Sequence, residues 1–127
     1  MAERRATCLN CMDGRVQLPV LEWIKKNYAV DFVDVITEAG MNKFLAEESQ
    51  DISLIIRSIK ISLEINKAEM IFVVGHYDCR GNPVDKSVHL DQIRKAVERL
   101  KKSWATIRIV GLWVNDVWMV EKIIEQK

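Results

Sequence analysis

The chain has 127 residues, 49% of them hydrophobic and 29% charged, which suits one folded domain with a single core and excludes disorder. Its 19 basic residues against 18 acidic leave a net charge of +1, so nucleic acid and other polyanions have no electrostatic hold on it. The longest apolar run, Met70 to Val74, is far short of a membrane span, and the first residues contain no apolar stretch of signal-peptide length. The expectation is a single domain over residues 1–127, cytoplasmic, without membrane or nucleic-acid partners. Three cysteines do not make a disulfide framework; in a reducing compartment, grouped Cys and His point to metal binding or catalysis.

Arg5 to Cys11 reads as a short strand. Pro19 stands where a first helical turn accepts proline, and Val20, Leu21, Ile24 and Tyr28 follow at helical spacing. Phe32, Val33, Val35 and Ile36 form a second strand, closed by Glu38-Ala39-Gly40. From Ser49 to Asn66 the pattern is helical: Ile52, Ile55, Ile56, Ile59 and Leu63 share a face, while Leu54, Ile61 and Ile65 fall elsewhere. A helix apolar on more than one side needs a second covering surface, either its own domain or another subunit.

Met70 to Val74 is a continuous apolar strand, as in a central parallel position buried on both faces, and it ends in Gly75-His76. After a loop with Gly81-Asn82-Pro83, Leu90, Ile93, Val97 and Leu100 mark a further helix, and Ile107 to Val114 a further strand. Asn115-Asp116 is read as a two-residue turn into Val117-Trp118-Met119-Val120, an antiparallel edge hairpin; a helix from Val117 onward competes, since Val117, Val120, Ile123 and Ile124 also fit a helical period. Alternating strands and helices predict an α/β fold with a mainly parallel sheet and helices on both faces. Ligand sites in such sheets lie beyond the carboxyl ends of the strands, which is where Cys11, His76 and Cys79 fall.

Zinc favours thiolate sulfur and imidazole nitrogen in a tetrahedron, and three protein ligands leave one position for water or substrate. His76-x-x-Cys79 wraps two ligands around one ion, and Cys11 supplies a third. Two thiolates neutralise the dication, so a bound hydroxide needs help from nearby groups. Cys11-Met12-Asp13-Gly14-Arg15 offers them: in extended backbone residues 11, 13 and 15 line one wall, as ligand, carboxylate and guanidinium.

Cys-x-Asp-x-Arg after the first strand and His-x-x-Cys after the third resemble the β-class carbonic anhydrases. The resemblance extends from about residue 7 to the end, with Glu38-Ala39-Gly40 and Gly111-Leu112-Trp113 in family-like places. It implies a sheet of order 2-1-3-4 with a C-terminal antiparallel edge strand, a zinc ion on Cys11, His76 and Cys79, and a dyad in which Arg15 holds Asp13. A zinc-bound hydroxide oriented by Asp13 would then hydrate carbon dioxide reversibly to bicarbonate. It also implies that Asp13 can coordinate zinc itself, and that the chain is a homodimer or higher oligomer. The first strand is expected to start almost at residue 5, without the N-terminal helical arm usual in the family, and the sequence departs from the family in Arg80 where a Gly is usual, in Glu38 where many members carry an amide, and in having no placeable substrate-side Gln.

Two other readings stay open. One keeps the metal but takes another small heterocumulene, such as carbonyl sulfide or carbon disulfide, motivated by Arg80-Gly81-Asn82-Pro83. The other is a structural or sensing zinc domain, closed by Cys8 or Asp13. Residues three apart on a strand face opposite sides, so Cys8 is expected to point away from the metal as a small buried residue. Asp78 and Arg80 are expected in solvent or capping the loop. His89 is expected exposed or at a helix end, with proton shuttling as its alternative, and the tryptophans are assigned to core or interface.

Overall fold

Five strands form one sheet of order β2-β1-β3-β4-β5 in the computed structural model, which describes residues 3–127. The strands are β1 (Arg5–Asn10), β2 (Phe32–Thr37), β3 (Met70–His76), β4 (Arg108–Val114) and β5 (Val120–Gln126). The pairs β1/β2, β1/β3 and β3/β4 are parallel, and β4/β5 is antiparallel at the edge. This is the mixed sheet the sequence predicts. All seven residues of β3 are buried, and burial of each large apolar side chain is worth about 1.5–3 kcal/mol.

One face of the sheet carries α1 (Gln17–Tyr28), whose Val20 and Ile24, with the preceding Val16, pack on Ala6, Cys8, Phe72 and Val110. Proline is tolerated in its first turn, and Ala29 ends it in the left-handed conformation (φ 52°), donating back to the Lys25 carbonyl. The opposite face carries α2 (Met41–Leu45), α3 (Ser53–Lys60) and α4 (Lys86–Ser103), whose buried residues meet Leu9, Ile71, Val73 and Ile109. Asp85 caps α4 by accepting from the Val88 amide at 3.0 Å, and His89, Ile93, Ala96, Val97 and Leu100 form its buried stripe.

The helix expected from Ser49 begins only at Ser53, where Asp51 accepts the Ser53 amide at 3.0 Å. Past Lys60 it widens into a π-helical turn over Ile61–Ile65, with Asn66 N donating to Ile61 O. The wider turn seats Ser62 under the sheet, where its hydroxyl meets Thr7 Oγ1 at 2.6 Å and donates to Asp34 Oδ2 at 2.7 Å. Ile52, Ile59 and Leu63 are buried as the spacing predicts. Leu54 and Ile65 stay 77% and 71% exposed, so the second apolar side lies open.

The edge hairpin also differs in detail. Its connection is not the two-residue turn Asn115-Asp116 but the five residues Asn115–Met119, with β5 starting at Val120, and no helix forms from Val117. The Asn115 side chain causes this: its Oδ1 accepts the amides of Val117 and Met119, both at 3.0 Å. Trp118 adopts φ 61° at the tip. No helix is long and apolar enough to cross a membrane among the described residues.

Candidate metal centre

Chain order and sheet order diverge at β1: the chain runs from β1 to β2 on one side and returns to β3 on the other. That switch opens a crevice beyond the carboxyl ends of β1 and β3. Cys11 follows β1 directly, His76 ends β3, and Cys79 lies one turn further. The structure brings these three together, buried, with their ligand atoms within 4.8 Å of one another and the two sulfurs 4.0 Å apart. Cys8 is not part of this group. It is fully buried in the α1-side core, where burial pushes its thiol up to about 12. Cys8 lies within β1, whereas Cys11 follows the end of that strand.

Amides pin the first ligand loop. Asn10 Oδ1 accepts the Cys11 amide at 2.8 Å while its Nδ2 donates to Val16 O, and Gln17 Nε2 donates to the carbonyls of Cys11 and Asp13, both at 2.8 Å. On the second loop, His76 Nδ1 lies 2.7 Å from the Tyr77 carbonyl. A carbonyl only accepts, so Nδ1 carries the proton and Nε2 presents a lone pair. That Nε2 is buried without a hydrogen-bond partner among the described residues. Burial pushes the Cys79 thiol up to about 11, and the Cys11 sulfur adds to the shift. Two adjacent buried sulfurs and a bare imidazole nitrogen are a donor set that a cation satisfies and protein groups do not. The residues therefore fit a zinc ion.

Asp13 and Arg15 meet, though not along an extended strand. The chain leaves the sheet after Asn10 and makes a 3₁₀ turn over Gly14–Val16, with Asp13 as its N-cap. Asp13 Oδ1 accepts the Arg15 amide at 2.9 Å, and the guanidinium folds back on the same carboxylate, Nη2 to Oδ2 at 2.7 Å and Nε to both oxygens at 3.1 and 3.2 Å. These bonds hold the Asp13 carboxyl down to about 2. Burial lowers the His76 pKa below the usual imidazole value, and the Asp13 and Arg15 charges act on it with opposite sign.

Asp78, expected in solvent or capping the loop, is exposed and also receives the other arm of Arg15: Nη1 donates to its Oδ2 at 3.2 Å and Nη2 to its carbonyl at 3.1 Å. Trp118 covers the guanidinium, 4.6 Å from ring centroid to Cζ. Arg80 and Glu38 are exposed. Gly40, at φ 64°, packs against the Gly81 backbone and so seats the β2–α2 loop on the second ligand loop. His89 corrects its expectation: it is 2% exposed, beneath Gly75 on the α4 side of β3, edge-on to Trp113 at 5.1 Å. Its Nε2 accepts from Asn42 Nδ2, which also donates to Val74 O. Burial pushes its pKa down to about 4. Asn10 and Gln17 were not singled out in the sequence; their only signal is an amide on either side of Cys-x-Asp-x-Arg.

The fold resembles several solved structures. A carbonic anhydrase from Glaciozyma antarctica superposes with a TM-score of 0.66 at 16% identity, covering 94% of this chain and 81% of that one. A β-carbonic anhydrase of Aspergillus fumigatus gives 0.64 at 14% identity, covering 98% and 91%. One of the tetrameric β-carbonic anhydrases of Sordaria macrospora gives 0.62 at 12% identity, covering 100% and 84%. At these identities the likeness concerns the fold. No curated protein sequence matches the chain. The model of the putative carbonic anhydrase family, in contrast, matches residues 1–124, nearly the whole chain, and the chain belongs to that family.

Proposed function

We propose that the chain is a single-domain zinc lyase that hydrates carbon dioxide reversibly to bicarbonate, with Cys11, His76 and Cys79 holding the metal. The observation that carries this reading is the buried His76 Nε2, without a hydrogen-bond partner and grouped with two sulfurs. Zinc bound there would lower the pKa of water at its open position towards ~7. The residues around it do the rest. The Tyr77 carbonyl fixes the His76 tautomer. Asp13, ionised down to about pH 2, accepts a hydrogen bond from the reacting water and so directs its lone pair. Arg15 occupies both Asp13 oxygens and restrains the carboxylate from swinging onto the metal. A structural zinc site closed by Cys8 is disfavoured because Cys8 is not among the residues whose ligand atoms gather within 4.8 Å of one another.

The open side of α3 and the π-helical turn that follows it, with Leu54 and Ile65 exposed, supports assembly into a homodimer or higher oligomer, and one solved fold relative is described as tetrameric. Absence of disulfides among the free Cys8, Cys11 and Cys79 suits a cytoplasmic setting. Stopped-flow hydration of carbon dioxide by the zinc-loaded chain tests the reading, with Asp13→Asn as control. The expected result is wild-type turnover and a loss of about 10²-fold or more in kcat for the variant, in the range of a general-base contribution. Sulfide release from carbonyl sulfide without carbon dioxide hydration would overturn the substrate assignment.

A further inference from the structure

We propose that Asp78 and Trp118 are positioning residues that lock the Arg15 guanidinium on Asp13, making the tip of the β4–β5 hairpin part of the site. The need for a lock follows from exposure. The Arg15 side chain is 39% exposed, and an exposed ion pair gains little against the entropy of ordering a long side chain. A local Asp13–Arg15 pair alone would therefore open often. In this chain the guanidinium is held on three sides: Asp13 takes Nε and Nη2, Asp78 takes Nη1 and Nη2, and the Trp118 indole covers the face. Trp118 is itself braced edge-on against Tyr77, 6.5 Å between ring centroids, beside the ligand His76.

The backbone gives an independent reason. Asp78 (φ 56°) and Trp118 (φ 61°) both adopt the left-handed conformation. Aspartate tolerates it, but for tryptophan it is strained, and hairpin tips that need it favour Gly or Asn. Here Asn115 enforces it, accepting the Val117 and Met119 amides on its side chain and the Trp118 amide on its carbonyl. Asn115 Nδ2 in turn donates to Glu121 at 3.0 Å. The strain sets the indole over the guanidinium, a contact that Gly would forgo. A flat guanidinium suits this arrangement and an ammonium does not, because only the former stacks while donating in its plane.

The clamp's consequence for turnover rests on the zinc-lyase reading; its geometry does not, and the test separates them. Nitrogen-edited NMR of the chain as purified reads hydrogen exchange at the Arg15 Nε–H, assigned by its disappearance in Arg15→Lys. The expected result is a protected Nε–H in wild type and in Trp118→Phe, with exchange faster by about tenfold or more in Trp118→Leu and Asp78→Asn, the loss of roughly 1.4 kcal/mol of ordering. In the zinc-loaded chain the same Trp118→Leu lowers kcat more than it changes KM, and Trp118→Phe restores kcat. A wild-type Arg15 Nε–H that exchanges as fast as that of exposed Arg80, or one unchanged in Trp118→Leu, overturns the clamp. A protected Arg15 in a chain that does not hydrate carbon dioxide would sustain the clamp and sink the reaction assigned to it.

Discussion

A methyl group added at Gly75 tests how tightly β3 is held against α4 just before the ligand His76. A Cβ there would stand 2.6 Å from His89 Nε2 and 2.8 Å from both His89 Cδ2 and Ile93 Cδ1. Neither neighbour has room to swing into solvent, since His89 is 2% and Ile93 0% exposed, and β3 is paired to β4 along its whole length. Overpacking of this kind costs about 1–3 kcal/mol. If His89 is pushed off Asn42, whose Nδ2 lies 3.3 Å away, a buried polar group loses its partner at a further cost of about 1 kcal/mol. The sum for Gly75→Ala is about 2–4 kcal/mol. With a urea m-value of about 1–3 kcal/mol/M, the midpoint of unfolding should fall by roughly 1–2 M. Gly14→Ala is the control, because nothing lies within 4 Å of its Cβ. His89→Ala makes room, so in the double variant the two effects should offset by about 1 kcal/mol or more. A Gly75→Ala chain within about 0.5 kcal/mol of wild type, or a double variant that is simply additive, would refute the packing argument.

Removing the Cys8 thiol separates core from ligand: Cys8→Ala should keep its zinc by elemental analysis, whereas Cys11→Ser should lose it. Zinc lost from Cys8→Ala would contradict the assignment of the two residues. His89 makes stability depend on pH. Its folded pKa of about 4 lies below the ordinary 6.5, so the unfolded chain binds the proton more tightly; the contribution is fully present above 6.5 and is lost as pH falls towards 4. The difference in unfolding free energy between wild type and His89→Gln should therefore shift by about 2 kcal/mol between pH 7 and pH 5, and two parallel pH profiles would rule this out. Tyr28→Phe removes a part-buried hydrogen bond from the hydroxyl to Glu125 at 2.7 Å that ties α1 to β5. The expected cost is about 1 kcal/mol by urea unfolding, and an unchanged midpoint would show that the bond contributes nothing.

What the sequence discloses is what depends on local pattern. Met70 to Val74 is apolar without interruption because both faces of β3 are covered, and residues 93, 97 and 100 recur at helical spacing because one side of α4 is buried. The residues that meet at the crevice were legible for the same reason: short motifs after two strands, in a sheet whose strand order reverses there. What stayed hidden depends on distant partners. His89 looks like a polar helix-start residue until Asn42, Gly75 and Trp113 are found around it. Arg15 could be paired with Asp13 from the sequence, but the route was wrong: a 3₁₀ turn brings them together, not an extended strand. Asp78 and Trp118 gave no signal, because their partnership with Arg15 exists only once the hairpin tip reaches the second ligand loop. The tip itself misled, since Asn115 bonds to two backbone amides and lengthens a turn that composition alone would close in two residues.

X-ray absorption at the zinc edge, on the chain purified without added metal, tests the central claim most directly. The account predicts a tetrahedral zinc with two sulfur neighbours from Cys11 and Cys79, one imidazole nitrogen from His76, and one oxygen that exchanges with small anions. Three sulfurs, or a chain that carries no zinc at all, would contradict it.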